Sequence, residues 1–211
     1  MIPLWFKLVY LAFLMVLVPV YLAEYGPLNF LWLSNIALLG GCMAAWLESR
    51  RLAGMLLVAV AVLEMGWVAD FVLSLVLLGN PPFGTVDYMY DPDTPLHVRL
   101  LSLYHLPLPF VLIWMVWRLG YDPRVWRNWV PLGLILLLIS YVLSTPEDSV
   151  NWALGPAGHP QEWMAPELWI GLVMISCVIV WWLTHRLALW GFGRAGRVVQ
   201  PGHRDAGSET R

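Results

Sequence analysis

Residues 52–78 read LAGMLLVAVAVLEMGWVADFVLSLVLL, an apolar run interrupted by only two ionisable residues, Glu64 and Asp70. A transmembrane helix needs about 20 mostly apolar residues, so this run is long enough to cross a bilayer. Five other stretches are comparably apolar, and they cover residues 4–23, 28–46, 98–117, 130–143 with its flanks, and 168–190. The sequence therefore predicts an all-α polytopic membrane protein, a bundle of six transmembrane helices within residues 1–192. Residues 193–211 are basic and polar, and we expect a disordered tail there.

The amino-acid composition excludes an ordinary soluble domain. Of the 211 residues, 60% are hydrophobic and 12% are charged, whereas soluble domains carry about 25% charged residues. Cys42 and Cys177 lie in separate apolar segments and form no CxxC pair, so neither a disulfide framework nor a thiol redox motif is predicted. The helical pattern, the 14 tryptophans and the low cysteine content favour a multi-pass protein of a bacterial inner membrane.

The cationic residues indicate how the bundle is oriented. If the N-terminus is cytoplasmic, every lysine and arginine except Arg99 falls in a cytoplasmic segment. The acidic residues concentrate on the opposite side, in the long connections 80–97 and 144–166. Because cytoplasmic segments of membrane proteins are enriched in Lys and Arg, this distribution predicts that both termini are cytoplasmic.

Ionisable residues at membrane depth are costly, and they are therefore the first candidates for a functional site. At about 1.5 Å of rise per residue, Ser34, Asp70 and His105 all lie in one layer of the outer half of the bilayer, and Glu64 lies deeper. Pro107 follows His105 closely, with a second proline two residues later, and the sequence predicts a helix kink there.

Three hypotheses for this layer follow from the residue types. In the first, Ser34 is a nucleophile, His105 is its base and Asp70 orients the imidazole. The surrounding polar residues would then bind the substrate, and these are Asn29, Asn35, Glu64, His97, Arg99, Asn151 and His159. In the second, a metal or haem is held by His97, His105 and His159 with Glu162. In the third, the polar pocket has no catalytic role and binds a lipid or a partner membrane protein.

Three segments carry a family resemblance. They are LWLSNIAL at residues 31–38, VRLLSLYH at 98–105 and VNWALG at 150–155. In order and spacing these segments resemble the YwaF-like integral membrane proteins, a family that includes intramembrane phospholipid acyltransferases. The resemblance covers roughly residues 28–156. It implies that Ser34 stands at the position of the family's cysteine in L-H-L-C-N, and His105 at that of its later histidine. Trp32 replaces the family's early histidine, and the family's N-Y-M pattern is absent after Gly155.

These observations lead to one functional expectation and two alternatives. We expect an inner-membrane protein with an outward-facing polar pocket that acts as an enzyme, an acyltransferase or a hydrolase, on a lipid or acyl substrate. The alternatives are a non-catalytic membrane subunit or lipid-binding module, and a metal or haem protein that uses the outer histidines. The expected partners are the lipid bilayer, a lipid substrate and a membrane protein, and no nucleic acid. The sequence identifies no cofactor.

Overall fold

The computed structural model describes residues 1–145, 149–156 and 160–199, and within them the chain is helical. Its helices, in chain order, are α1 Leu4–Tyr25, α2 Leu33–Leu47, α3 Arg50–Val76, α4 Leu96–Ser102, α5 Leu108–Leu119, α6 Val125–Leu143 and α7 Pro166–Arg194. Short 3-10 turns lie at Pro27–Leu31, Asp87–Met89, Leu103–His105 and Val150–Trp152. The prediction of an all-α bundle is confirmed.

The lengths of the helices agree with a multi-pass membrane protein. Within the described residues, five helical segments are long and apolar enough to cross a membrane, and they are α1, α3, the combined segment Leu96–Leu119, α6 and α7. The remaining predicted span, residues 28–46, contains α2, which is apolar but has only 15 residues and is preceded by a 3-10 turn. The span predicted from residues 130–143 and their flanks is α6, which already begins at Val125.

Helix α3 is the centre of the bundle, and it packs against α2, α5, α6 and α7. Half of its membrane-spanning stretch is buried, compared with 22% for α1 and for α7. The indole N–H of Trp181 on α7 donates to the Ala59 carbonyl of α3 at 3.0 Å. The Trp181 ring also fills the space that a Cβ on Gly133 of α6 would need, so this glycine allows α6 and α7 to approach. Polar side chains on α3 are therefore enclosed by protein rather than by lipid.

The fourth span is broken where the prolines predict a kink. Helix α4 ends at Ser102, a 3-10 turn contains His105, and α5 begins at Leu108. Pro107 and Pro109 each lack a backbone N–H, and their rings clash with the preceding turn, so a regular helix cannot continue through them. The predicted kink is confirmed, and it leaves His105 on an irregular segment inside the bundle.

The C-terminal end of the described chain is tied to the turn between α5 and α6. The Tyr121 N–H donates to the Arg197 carbonyl at 2.8 Å, and the Val199 N–H donates to the Tyr121 carbonyl at 2.9 Å. Gly120 has a φ of +90°, and a Cβ there would lie 2.7 Å from Val199 Cγ2, so a side chain at this position would disturb the pairing. Residues 193–199 thus differ from the expected disordered tail, and residues 200–211 lie outside the described residues.

Candidate functional site around Glu64 and His105

A carboxylate and an imidazole meet inside the bundle. His105 Nδ1 lies 2.7 Å from Glu64 Oε2. Glu64 is on the central helix α3 with 4% of its surface exposed, and 14% of the His105 side chain is exposed. The break between α4 and α5 places the imidazole on the same level as Glu64. A contact of this length between an imidazole nitrogen and a carboxyl oxygen is a short hydrogen bond.

Two aromatic rings fix the plane of the imidazole. The Trp67 ring stacks on His105 with centroids 4.7 Å apart, and the Tyr104 ring stacks on it at 4.1 Å. Trp67 stacks in turn on Phe71 at 5.3 Å. The direction of His105 is therefore set by one hydrogen bond and two ring contacts. Its second nitrogen, Nε2, makes no hydrogen bond to any described residue.

A second chain of polar groups runs from Tyr104 to the start of α2. The Tyr104 hydroxyl donates to Asn35 Oδ1 at 2.8 Å, and Asn35 Nδ2 donates to the Asn29 carbonyl at 2.8 Å. Ser34 is half-buried and lies close to the Tyr104 hydroxyl. No hydrogen bond links Ser34 to His105 in the described part of the chain.

Asp70 was expected to orient His105, but its carboxylate contacts the loop that follows α3. Its carboxylate accepts hydrogen bonds from the Phe83 N–H at 3.0 Å, the Thr85 N–H at 2.8 Å and the Thr85 hydroxyl at 2.6 Å. Asp70 is completely buried. The connection after α3 folds down onto this carboxylate because its backbone donors need acceptors once they leave water. Asp70 thus anchors a loop, and the carboxylate that contacts His105 is Glu64, which the sequence placed among the substrate-binding residues.

The loop that Asp70 anchors covers the C-terminal end of α3 and the start of α4, and we call residues 80–95 the outer loop after the side of the membrane predicted for it. The hydroxyls of Ser74 and Tyr90 lie 2.6 Å apart, and Arg99 Nη1 donates to the Met89 carbonyl at 3.3 Å. Tyr88 lies against Ser102 and Trp67, and burial raises the pKa of its phenol. Arg99, expected to bind substrate, therefore holds the outer loop in place.

Asn151 is the expected site residue that connects the second long loop to the bundle. Its side-chain N–H groups donate to the Leu31 carbonyl and to Ser140 Oγ, both at 2.9 Å, and its oxygen accepts from the Leu33 N–H at 2.9 Å. Its φ of +56° is a left-handed conformation that asparagine tolerates better than most residues. Asn151 thus caps the start of α2 and joins it to α6.

The remaining expected residues are not gathered at His105. His97 Nε2 lies 3.6 Å from Glu24 Oε1, and both side chains are exposed. The side-chain nitrogen of Asn29 is buried without a hydrogen-bond partner among the described residues. His159 lies outside the described residues. The site that the structure assembles is therefore smaller than the one predicted.

The metal hypothesis depends on histidines that the described structure does not bring together. In the described ranges no group of three or more His, Cys, Asp or Glu side chains could hold a metal ion. His97 and His105 each contact a different glutamate, Glu24 and Glu64 respectively. The third histidine of that hypothesis, His159, lies outside the described residues.

Sequence reasoning missed the aromatic residues of the site. Tyr104 directly precedes His105, and Trp67 is three residues after Glu64 on α3. Residues three apart share one face of a helix, so Trp67 could have been placed beside Glu64 from spacing alone. The position of Tyr88 could not be predicted from spacing, because it depends on how the outer loop folds.

Comparison with known proteins finds no matching family model, no matching curated protein and no matching solved structure. The resemblance to the YwaF-like proteins therefore stays a prediction.

Proposed function

We propose that the protein is an intramembrane enzyme that acts on a lipid or acyl substrate, with His105 as its general base and Glu64 as the carboxylate that orients it. The observation that supports this most directly is the 2.7 Å contact between His105 Nδ1 and Glu64 Oε2 inside an apolar bundle. Ionisable side chains within membrane spans are rare, and they commonly serve function. A buried carboxylate bonded to one imidazole nitrogen is also the arrangement that prepares the other nitrogen for proton transfer.

The proposed reaction assigns one role to each group. With Nδ1–H donating to Glu64, Nε2 of His105 is free to accept a proton. The step requires that substrate binding moves the Ser34 hydroxyl away from Tyr104 and against Nε2. The imidazole then accepts the Ser34 proton while Ser34 Oγ forms a bond to the carbonyl carbon of an ester. The ester C–O bond then breaks, and the imidazolium returns the proton to the leaving oxygen. Water or an acceptor alcohol releases the acyl group from Ser34 by the same steps in reverse.

The proposal also includes the membrane in which the protein lies and its orientation there. We place the protein in a bacterial inner membrane with both termini cytoplasmic, because the arginines concentrate at one end of the bundle. The polar site would then open toward the outer face, beneath the outer loop. The resemblance to the YwaF-like proteins supports the same class of reaction, with Ser34 in the place of a cysteine.

The test is turnover by the purified protein in phospholipid vesicles, with free fatty acid and lysophospholipid measured by mass spectrometry. The wild-type chain should release both products, and His105→Ala should abolish the release. Glu64→Gln should lower the rate about 10²- to 10⁴-fold, because the imidazole loses the charge that fixes its tautomer. Ser34→Ala should abolish turnover without unfolding the protein.

Matched control variants distinguish a loss of catalysis from a loss of folding. Glu167→Gln removes an exposed carboxylate at the start of α7, and Ser176→Ala removes an exposed hydroxyl from the same helix. Both should keep wild-type turnover. Full activity in His105→Ala would refute the proposal. Activity that survives in Ser34→Ala alone would instead replace the acyl-enzyme route by direct attack of water, with His105 still the base.

A non-catalytic membrane subunit or lipid-binding module is the second candidate, and one observation favours it. Ser34 lies close to Tyr104 and makes no hydrogen bond to His105 among the described residues, so the structure does not bring the nucleophile of the first proposal to its base. On this alternative the wild-type chain shows no turnover. His105→Ala would lower thermal stability, and it would lower the recovery of a co-purifying membrane protein.

A further inference from the structure

A cleft of about 380 Å³ lies at one end of the bundle, between the first turn of α6 and the C-terminal part of α7. Arg124, directly before α6, and Trp126 and Arg127 in its first turn form one side, and Trp182, His185 and Arg186 of α7 form the other. The start of α6 is tied to the start of α3, because Arg51 Nη2 donates to Asn128 Oδ1 at 3.1 Å. Glu64 is 14 residues further along α3 from Arg50 (64 − 50), which is about 21 Å of helix. The cleft is therefore separate from the Glu64–His105 site.

The cleft has a surplus of positive charge. Arg124 pairs with Asp122, whose oxygens lie 2.9 Å from Nη2 and 3.1 Å from Nε. Arg127 and Arg186 are exposed, and neither has a carboxylate partner among the described residues. The first turn of α6 adds the positive end of its helix dipole. Two guanidinium groups and a helix N-terminus thus face the same space.

One buried group on the cleft walls lacks a hydrogen-bond partner. The indole nitrogen of Trp126 is buried and has no partner among the described residues. Buried polar groups are nearly always hydrogen-bonded, so this nitrogen can donate to an external acceptor. His185 Nδ1 is engaged by the Tyr121 hydroxyl at 2.7 Å, and its other ring nitrogen makes no hydrogen bond within the described chain.

Apolar surface continues from the cleft toward the lipid. Trp182 is 47% exposed, and the Arg186 guanidinium lies 5.8 Å from its ring centroid. Leu183 and Ile179, further from the C-terminal end of α7 than Arg186, are also exposed. Tryptophan prefers the headgroup level of a bilayer, so the arginines lie where lipid phosphates lie.

We propose that this cleft binds the phosphate headgroup of an anionic phospholipid, such as phosphatidylglycerol, taken from the surrounding membrane. Arginine forks bind phosphate oxygens in pairs, and two unpaired arginines match the net negative charge that zwitterionic lipids lack. The acyl chains would lie along Trp182, Leu183 and Ile179. The cleft volume is within the roughly 300 to 1,000 Å³ of ordinary ligand pockets. This site does not depend on the function proposed for Glu64 and His105.

The test uses the full chain in neutral detergent, titrated with dioctanoyl phosphatidylglycerol and followed by native mass spectrometry. Dioctanoyl phosphatidylcholine and inorganic phosphate are titrated in parallel. Phosphatidylglycerol should bind saturably and at least about tenfold more tightly than phosphatidylcholine. Inorganic phosphate should not bind over the same range, because it lacks the chains that lie along α7.

Charge variants decide whether the cleft is responsible. R127Q/R186Q should weaken phosphatidylglycerol binding about tenfold or more, and R127K/R186K should recover part of it because the charges return. R50Q/R194Q removes two cations from the same end of the bundle outside the cleft, and it should bind as the wild type does.

Four results would overturn the proposal. They are equal binding of both lipids, binding of inorganic phosphate as tight as that of phosphatidylglycerol, unchanged binding in R127Q/R186Q, and equal losses in the cleft and control variants. All of these side chains are exposed or half-buried, so the variants should fold, and size-exclusion chromatography verifies this.

Discussion

The middle of the bundle and one of its ends handle charge in opposite ways. At Glu64 and His105, the ionisable groups are enclosed by helices and bonded to each other at 2.7 Å. In the cleft between α6 and α7, Arg127 and Arg186 face outward without a carboxylate partner in the described chain. A charge in a low-dielectric interior is costly unless it is paired, whereas an exposed guanidinium remains hydrated. The first region is therefore stabilised by the chain itself, and the second is free to bind an anion from outside.

The largest expected effect comes from removing one member of the enclosed pair. Glu64→Ala should lower the free energy of unfolding by about 3 kcal/mol, because His105 is left buried without its partner. Chemical or thermal unfolding in detergent measures this loss. In a double-mutant cycle with His105→Ala, the two losses should be non-additive by about 1 kcal/mol or more. Strictly additive losses would mean that the two side chains do not act as a pair.

The second-largest expected effect comes from Asp70, which anchors the outer loop above the Glu64–His105 pair. Asp70→Asn should cost about 1 to 2 kcal/mol of unfolding free energy, because an amide N–H₂ replaces an oxygen that accepts hydrogen bonds from Phe83 and Thr85. The outer loop should also become more accessible to proteases. Asp87→Asn, an exposed position in the same loop, is the matched control and should change neither quantity. An equally resistant loop in Asp70→Asn would remove the anchoring role.

The cleft should respond far less when no lipid is present. In lipid-free detergent, R127Q/R186Q should change the free energy of unfolding by no more than about 0.5 kcal/mol, because exposed cations without partners contribute little to folding. The same unfolding assay measures this value. A loss comparable with that of Glu64→Ala would show that the cleft arginines are structural, and the contrast between the two regions would disappear.

The smallest effect concerns the one arginine of the cleft that is paired. The hydrogen bond from Arg124 lowers the pKa of Asp122 below its ordinary value. Because the carboxyl is more acidic in the folded than in the unfolded chain, its contribution is complete above the unfolded pKa of about 3.9. This contribution to stability is lost as the pH falls through the lower pKa that Asp122 has in the folded chain.

The variant Asp122→Asn makes this pH dependence measurable. The difference in unfolding free energy between wild type and Asp122→Asn should be constant above about pH 5 and should shrink below about pH 4. Its size should be a few tenths of a kcal/mol, because the Arg124 side chain is largely exposed to solvent. A difference that grows on acidification would contradict the assigned direction of the pKa shift.

The helices were predictable because their signal is local. Long apolar runs identify spans by length alone, and Pro107 with Pro109 locates the break beside His105. The partner of His105 was not predictable, because the depth estimate assumed that all outer helix ends lie at one level. Glu64 is 12 residues from the end of α3 (76 − 64), or roughly 18 Å, so the outer part of α3 extends above His105. The outer loop folds back along that part and engages Asp70.

The same reasoning applies to the cleft. The arginine bias identified the end of the bundle at which the cations lie, but not which of them face one another. Arg127 and Arg186 are far apart in sequence, and they meet because α6 and α7 pack side by side at Gly133 and Trp181. A glycine within an apolar run carries no information about which helix will approach it.

The shortness of α2 has a consequence for the backbone at its start. Its 15 residues span about 22 Å, less than the roughly 30 Å hydrocarbon thickness of a typical bilayer. The missing turn is replaced by a 3-10 segment whose backbone groups at Leu31 and Leu33 are satisfied by the amide of Asn151. Because those backbone groups are satisfied within the protein, an irregular segment can complete this side of the bundle at membrane depth. Loss of the Asn151 amide would leave polar backbone unsatisfied close to the layer that holds Ser34 and Tyr104.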